Sequence, residues 1–267
     1  MNITQLWIYP IKSCGGVQLS EAKLGERGLE HDRQWMLVDR EGNLITQREI
    51  PKLVWVRPSI SDNELNVSAP DMPDLSLERS ATGETKRVRV WGDHMDAFVL
   101  PQACEWFEGY TEREVDLVYI PDSSPRPMNP NFGTRHLTFV DGNPLHIISE
   151  TSVAELNSRL EKPVGLERFR ANIIFSGAEP YAEDTWTKIS IDDIEFDVYE
   201  ACQRCVMLNV DPATARTSKE PLATLARYRR SGQHVVFGRN ISHAREGVLR
   251  VGGELRDASA TYVGTKT

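Results

Sequence analysis

Short apolar segments, each stopped by turn residues, constrain this chain more than any other feature. Thr4 to Tyr9 alternates Thr4, Leu6 and Ile8 with Gln5, Trp7 and Tyr9, and Trp35-Met36-Leu37-Val38 runs into Asp39-Arg40-Glu41-Gly42-Asn43. Alternation with a period of two marks half-buried strands, and Gly, Pro, Asn and Asp between them mark turns. Leu53 to Val56, Arg87 to Trp91, Asn172 to Phe175, Met207 to Val210 and Val248 to Val251 read as further strands. Ser190 to Phe196 reads as a hairpin turning at Asp192-Asp193. So many short strands predict a mainly β chain with a few helices, an α+β barrel or sandwich, and not a doubly wound sheet.

Helical spacing stands out in three places. Ala103, Trp106, Phe107 and Tyr110 form one stripe, and Val153, Leu156 and Leu160 another, with Ser149 or Thr151 available as cap. Glu220 to Arg230 predicts the third, with Pro221 at its first position, Leu222 and Leu225 facing inward, and Gly232 closing it. The stretch from Pro121 to Asn131 is rich in Pro, Ser and Asn and reads as a linker. It divides the chain into residues 1–120 and 121–256, with a flexible tail at 257–267.

Hydrophobic residues make up 40% of the 267, enough for a sizeable core. A formal net charge of -8 argues against a nucleic-acid partner, though a local basic pocket can sit on an acidic protein. The N-terminus shows no basic stretch followed by an apolar one, and no apolar run approaches the ~20 residues of a membrane span. No membrane partner is expected. Four cysteines in a chain this long are far from a disulfide scaffold, which points to a reducing, cytoplasmic setting.

Chemistry concentrates in a few segments. In Cys202-Gln203-Arg204-Cys205 the spacing fits half a zinc site, a redox-active disulfide, a single thiolate bound to a soft or high-valent metal with Arg204 lowering its pKa, or two small buried hydrophobes. Pro10 to Gly16 leads from a strand into a loop with Lys12, Ser13, Gly15 and Gly16. It reads as an anion cradle or a plain Gly-Gly turn, and lacks the Gly-Lys-Ser order of a Walker loop. Arg33 beside Asp32 is either an exposed ion pair or an oriented guanidinium for phosphate. Phe169-Arg170-Ala171-Asn172 opens a strand in the same way, and Asp141-Gly142-Asn143-Pro144 reads as a turn.

Taken in order, PIKSCGG, a DR before a strand, FRANIIFSG, and CQRC followed by VMLNVDPAT resemble the MOSC-domain proteins that carry a MOSC N-terminal β-barrel domain, among them the mitochondrial amidoxime-reducing component and its bacterial counterparts. The resemblance runs from about residue 3 to about residue 255, and YAEDTW and KEPLATLARYR share it. It implies two β-barrel-like domains and a molybdenum–molybdopterin cofactor whose metal takes the second cysteine of the pair, Cys205. Pyridoxal phosphate is a lesser association at the level of the family. Lys12, Ser13 and Arg33 would hold the pterin phosphate and nearby groups. Gly142, Asn143, Arg170, Asn172, Gln203 and Arg204 would line the rest, and Asp141 would lie close to the metal as proton donor or substrate anchor. The chain departs from the family pattern at Gly142 and Asn143, where hydroxyl residues are usual, at Ala171 in place of Pro, and at Gln203 in place of a small residue.

The implied activity is molybdenum-dependent reduction of N-hydroxylated substrates such as amidoximes and hydroxylamines. No ferredoxin-like cysteine cluster follows, so electrons are expected from a separate iron–sulfur, flavin or haem protein. A sulfur carrier or transferase with a persulfide on Cys205 is the alternative, and a cofactor-binding chaperone without turnover a third.

Overall fold

The computed structural model describes residues 1–61, 64–78 and 83–259. Its α-helices, α1 (Pro101–Thr111), α2 (Glu150–Asn157) and α3 (Leu222–Tyr228), stand at the three places the helical spacing predicts. Ser149 caps α2 by accepting from the backbone N–H groups of Thr151 and Ser152. Leu160 lies beyond the end of that helix. α3 is shorter than predicted: Pro221 is its N-cap residue and not its first turn, Arg229 already closes it, and Arg230 belongs to a strand.

The largest sheet has nine strands. Its path runs Leu255–Asp257, Lys188–Ile191, Ile194–Arg204, His234–His243, Leu145–Ser149, Ile173–Ser176, Asn2–Ile8 and Val17–Leu19, with Arg230–Ser231 paired to His234–His243 off this path. Only Leu145–Ser149 and Ile173–Ser176 run parallel, and α2 makes the crossover that such a pair requires. One face buries Leu6, Ile8, Phe175, Ile189 and Phe196; the other packs Ile148, Ile174 and Phe237 against Val153 of α2 and Leu225 of α3. The first strand therefore sits in the sheet of the second half of the chain, beside Ile173–Ser176. A register shift between Ile3 and Gln5 moves Thr4 off the face it was expected to share with Leu6, and its hydroxyl donates to Glu150 at the start of α2.

Seven of the remaining strands of the first half form two smaller sheets. Thr85–Val90, Asp93–Val99, Asp116–Tyr119 and Trp35–Val38 make one, and Arg57–Ile60, Glu64–Ser68 and Leu75–Glu78 the other. α1 closes the core between them with Trp106 and Phe107. Gly247–Arg250 pairs with Glu21–Gly25, a second tie between the halves.

Two expected strands are short 3₁₀ turns instead. Pro51–Trp55 replaces the strand at Leu53 to Val56, because Pro51 has no N–H to give a ladder and starts a turn well. Val206–Asn209 replaces the strand after the cysteine pair, and buries the adjacent Leu208 and Asn209 where a strand would alternate. The stretch from Pro121 to Asn131 is irregular but anchored. Arg126 is 2% exposed and donates to the carbonyls of Thr138 and Val140 and to Asp93. Asp257 ends a strand and the Ser259 hydroxyl accepts from Thr187 N–H, so the expected flexible tail does not begin at 257; the rest of that tail lies outside the described residues. No helix among the described residues is long and apolar enough to cross a membrane.

Candidate functional site

A cavity of about 360 Å³ opens between the two halves, and all eleven candidate residues line it. Lys12, Ser13 and Arg33 come from the first half and the other eight from the second. Thr46, Arg48, Trp91, His146, Arg168 and Glu200 join them without having been singled out in the sequence.

The N-terminal wall is built on left-handed backbone. Ser13 has φ 69° and Arg33 φ 50°, a region that costs a non-glycine residue about 1–2 kcal/mol. The cost is met by packing and pairing. Arg33 N–H donates to Tyr9 O, and Arg33 Nη1 reaches both oxygens of the buried Asp32 at 2.7 and 2.6 Å. Asp32 also accepts from Tyr9 N–H, so the Asp32–Arg33 pair is internal rather than exposed. Gly15 and Gly16 are not an anion cradle. An added Cβ at Gly15 would meet Val56 O at 2.8 Å, and at Gly16 the Tyr9 ring at 2.6 Å, so both are small for packing. Ser13 presents a buried hydroxyl with no hydrogen-bond partner among the described residues.

Lys12 Nζ lies 2.6 Å from Asp141 Oδ1, and Trp91 Nε1 donates to the same oxygen at 3.1 Å. Burial lowers the pKa of Lys12 and outweighs the support that Asp141 gives it. At Asp141 the cavity wall works to raise the pKa. The Lys12 charge and hydrogen bond, the Trp91 N–H and Arg33 outweigh it and hold the carboxyl well below the usual carboxylate range. Lys12 and Trp91 thus favour the ionised, acceptor-only form of Asp141, the form a substrate anchor needs, whereas a proton donor would need its pKa raised by a neighbouring anionic group.

The C-terminal wall is made of strand ends. Strand Ile194–Arg204 is irregular against His234–His243 between Ala201 and Gln203, and the cysteine pair falls at that irregular end. Here the two cysteines part. Cys202 accepts from Arg204 Nη1 at 3.1 Å, and burial pushes its thiol pKa up against the pull of Arg204. Cys205 is exposed, beyond the strand, at the start of the Val206–Asn209 turn. Both are free thiols, and among the described residues no three His, Cys, Asp or Glu side chains gather as a zinc site would need. Nor does an α-helix start at either cysteine, where its N-terminus would lower the thiol pKa of a redox-active pair.

Arg204 also donates to Phe169 O at 2.8 Å, and its buried Nε–H has no partner among the described residues. Arg170, left-handed at φ 53°, donates to Cys14 O at 2.7 Å; burial, with Arg33 repelling it, lowers its pKa to about 10. Arg33 and Arg170 both lie over the Tyr9 ring, at 4.3 and 4.2 Å. Asn172 accepts from His146 N–H and donates to Trp7 O, so its amide ties strands together although it lines the cavity. Asn143 donates to Glu200 at 2.6 Å, while its buried Oδ1 has no partner among the described residues. Gly142 has open space where a Cβ would stand. His146 is kept neutral by burial, and then by the Arg204 charge.

Lys12, Arg33, Arg48, Arg168, Arg170 and Arg204 line this cavity against two carboxylates, Asp141 and Glu200, inside a chain of net charge -8. A concave site with that excess of cations, an unpartnered hydroxyl and an exposed thiol suits an anionic ligand that also offers a thiophilic atom.

This fold and site define a class. The chain belongs to the MOSC-domain proteins that carry a MOSC N-terminal β-barrel domain. The MOSC N-terminal beta barrel domain matches residues 1–114 and the MOSC domain residues 134–256. Within the family, its relatives include amidoxime-reducing components. It is 35% identical to the human "Mitochondrial amidoxime-reducing component 1", over 94% of this chain and 81% of that one. The "Mitochondrial amidoxime reducing component 2" of Rattus norvegicus is 34% identical, again over 94% of this chain and 81% of the other. A rice "Molybdenum cofactor sulfurase" is 34% identical over 89% of this chain, which spans 32% of it.

Proposed function

We propose that this chain binds a molybdenum–molybdopterin cofactor through Cys205 and reduces N-hydroxylated compounds. One observation carries the reading: of two cysteines three residues apart, Cys202 is engaged by Arg204, while the exposed Cys205 lines a cation-rich cavity. The residues present fit the group. Ser13 Oγ, Asn143 Oδ1 and Arg204 Nε are buried polar atoms without partners among the described residues, and a phosphate would answer the excess of positive charge. The names of the amidoxime-reducing relatives supply the substrate class.

Lys12, Ser13 and Arg33 would hold the phosphate and nearby groups. Gly142, Asn143, Arg170, Asn172, Gln203 and Arg204 would line the pterin. When bound, the cofactor supplies two-electron removal of oxygen from an N–O bond, with electrons from a separate iron–sulfur, flavin or haem protein. The chain supplies the rest: Cys205 anchors the metal, the arginines orient the phosphate-bearing part, and ionised Asp141 accepts a hydrogen bond from the substrate.

Protein made in molybdenum-replete cells should carry about one molybdenum per chain, retained in Cys202→Ala and lost in Cys205→Ala, and should reduce benzamidoxime with an artificial donor. The rice sulfurase relative, together with the exposed Cys205, favours one second reading, a sulfur carrier. A persulfide on Cys205 without molybdenum in the same preparation would replace the first reading by the second.

A further inference from the structure

Trp91 stands out on three counts. It is 51% exposed, the most exposed large hydrophobic side chain among the described residues. It occupies the two-residue turn Trp91-Gly92, where Asp93 pairs with Val90, and has φ 54°. Asn, Asp or Gly fit that position without strain, whereas an aromatic residue there is unfavourable by local rules. Its ring is nonetheless held. Nε1 donates to Asp141 at 3.1 Å, and the Arg48 guanidinium lies over the ring at 4.7 Å. A strained, exposed and fixed aromatic residue on the wall of a cavity is placed there for what enters the cavity.

We infer that Trp91 is a specificity-determining residue whose ring stacks on planar, conjugated N-hydroxylated substrates, so that aryl amidoximes and aryl hydroxamic acids are preferred over compact ones. The inference rests on the proposed reductase reading. Arg48 covers part of the ring, which stays half exposed on a residue that lines the cavity. Trp91 belongs to the first half and Cys205 to the second, so the pocket selects its substrate with one half of the chain and holds the proposed metal ligand with the other.

The test is the ratio of kcat/KM for benzamidoxime to that for hydroxylamine in the cofactor-loaded protein. In Trp91→Leu the ratio should fall about two- to tenfold, the worth of one aromatic contact, mainly through the KM of benzamidoxime. In Trp91→Phe, which keeps a ring and loses only the N–H to Asp141, the ratio should stay within about twofold of the parent. A second readout needs no turnover: benzamidoxime should quench tryptophan fluorescence of the parent more than that of Trp91→Phe. An unchanged ratio in Trp91→Leu overturns the inference. So does an equal fall in the Leu and Phe variants, which would assign the effect to the Asp141 hydrogen bond. If the parent reduces neither compound, the reductase reading fails and this inference falls with it; fluorescence quenching centred on Trp91 would then mark a planar ligand of another kind.

Discussion

On the N-terminal wall of the cavity Lys12 and Arg33 each face a carboxylate of this chain, Asp141 and Asp32. On the C-terminal wall Arg170 and Arg204 donate to carbonyls, those of Cys14 and Phe169. A carboxylate cancels a charge, whereas a carbonyl positions the guanidinium and leaves its charge in place. The first wall is therefore mostly an internal brace, Lys12–Asp141 between the halves and Asp32–Arg33 within the first. The second holds most of the unbalanced positive charge that an anion would meet, although all four side chains line the same space.

The largest effect should fall on the brace. Asp32→Ala strands Arg33 beside Tyr9 and should cost about 3 kcal/mol, read as a drop of roughly 6 to 12 °C in Tm. A variant as stable as the parent would show that Arg33 is not braced from within. Next comes the contrast between walls. Arg204→Gln should weaken retention of the molybdenum cofactor about ten- to hundredfold, the worth of a charge-assisted hydrogen bond. Lys12→Gln should weaken it less, because that lysine is already paired. Molybdenum content after dialysis measures both, and equal losses would erase the distinction.

The third effect is one of pH. The folded-state pKa of Asp141 is depressed, so its contribution to stability is present above the unfolded carboxylate range near pH 4 and is lost as pH falls toward the folded value. Thermal unfolding between about pH 2 and 5 should lose part of its acid dependence in Asp141→Asn. An unchanged slope would mean that Lys12 does not hold the carboxylate. The smallest effect is expected at Gly142→Ser, which has room for a Cβ and should change stability by less than about 0.5 kcal/mol.

The family pattern carried much of the site. Lys12, Arg33, Arg170 and Arg204 were chosen from short motifs spread across the chain, and the sheet brings them to one cavity. Alternation found Asn2–Ile8, and a short apolar run stopped by turn residues found Trp35–Val38, because each has apolar residues that must be buried. That reading failed at Leu53 and at Met207, where a mostly apolar stretch of four residues fits a 3₁₀ turn as well as a strand. Arg48, Arg168 and His146 carried no local signal, since only the tertiary fold aims them at a shared space. For Trp91 a signal existed: a Trp-Gly pair between two alternating segments is a hairpin turn with an unsuitable first residue. The glycines at 15 and 16 misled because close packing on Val56 and Tyr9 selects the same residue as an anion cradle would.

The pairing of Asn2–Ile8 with Ile173–Ser176 also sets a timetable for biosynthesis. The earlier of the two segments to be made hydrogen-bonds to one made about 170 residues later. At about 5–20 residues per second it waits on the order of ten to thirty seconds for that partner. Until then only the three-residue strand Val17–Leu19 can pair with Leu6 and Ile8, and the rest of their core is unmade, so a nascent chain arrested before residue 173 should be the form that chaperones bind most strongly.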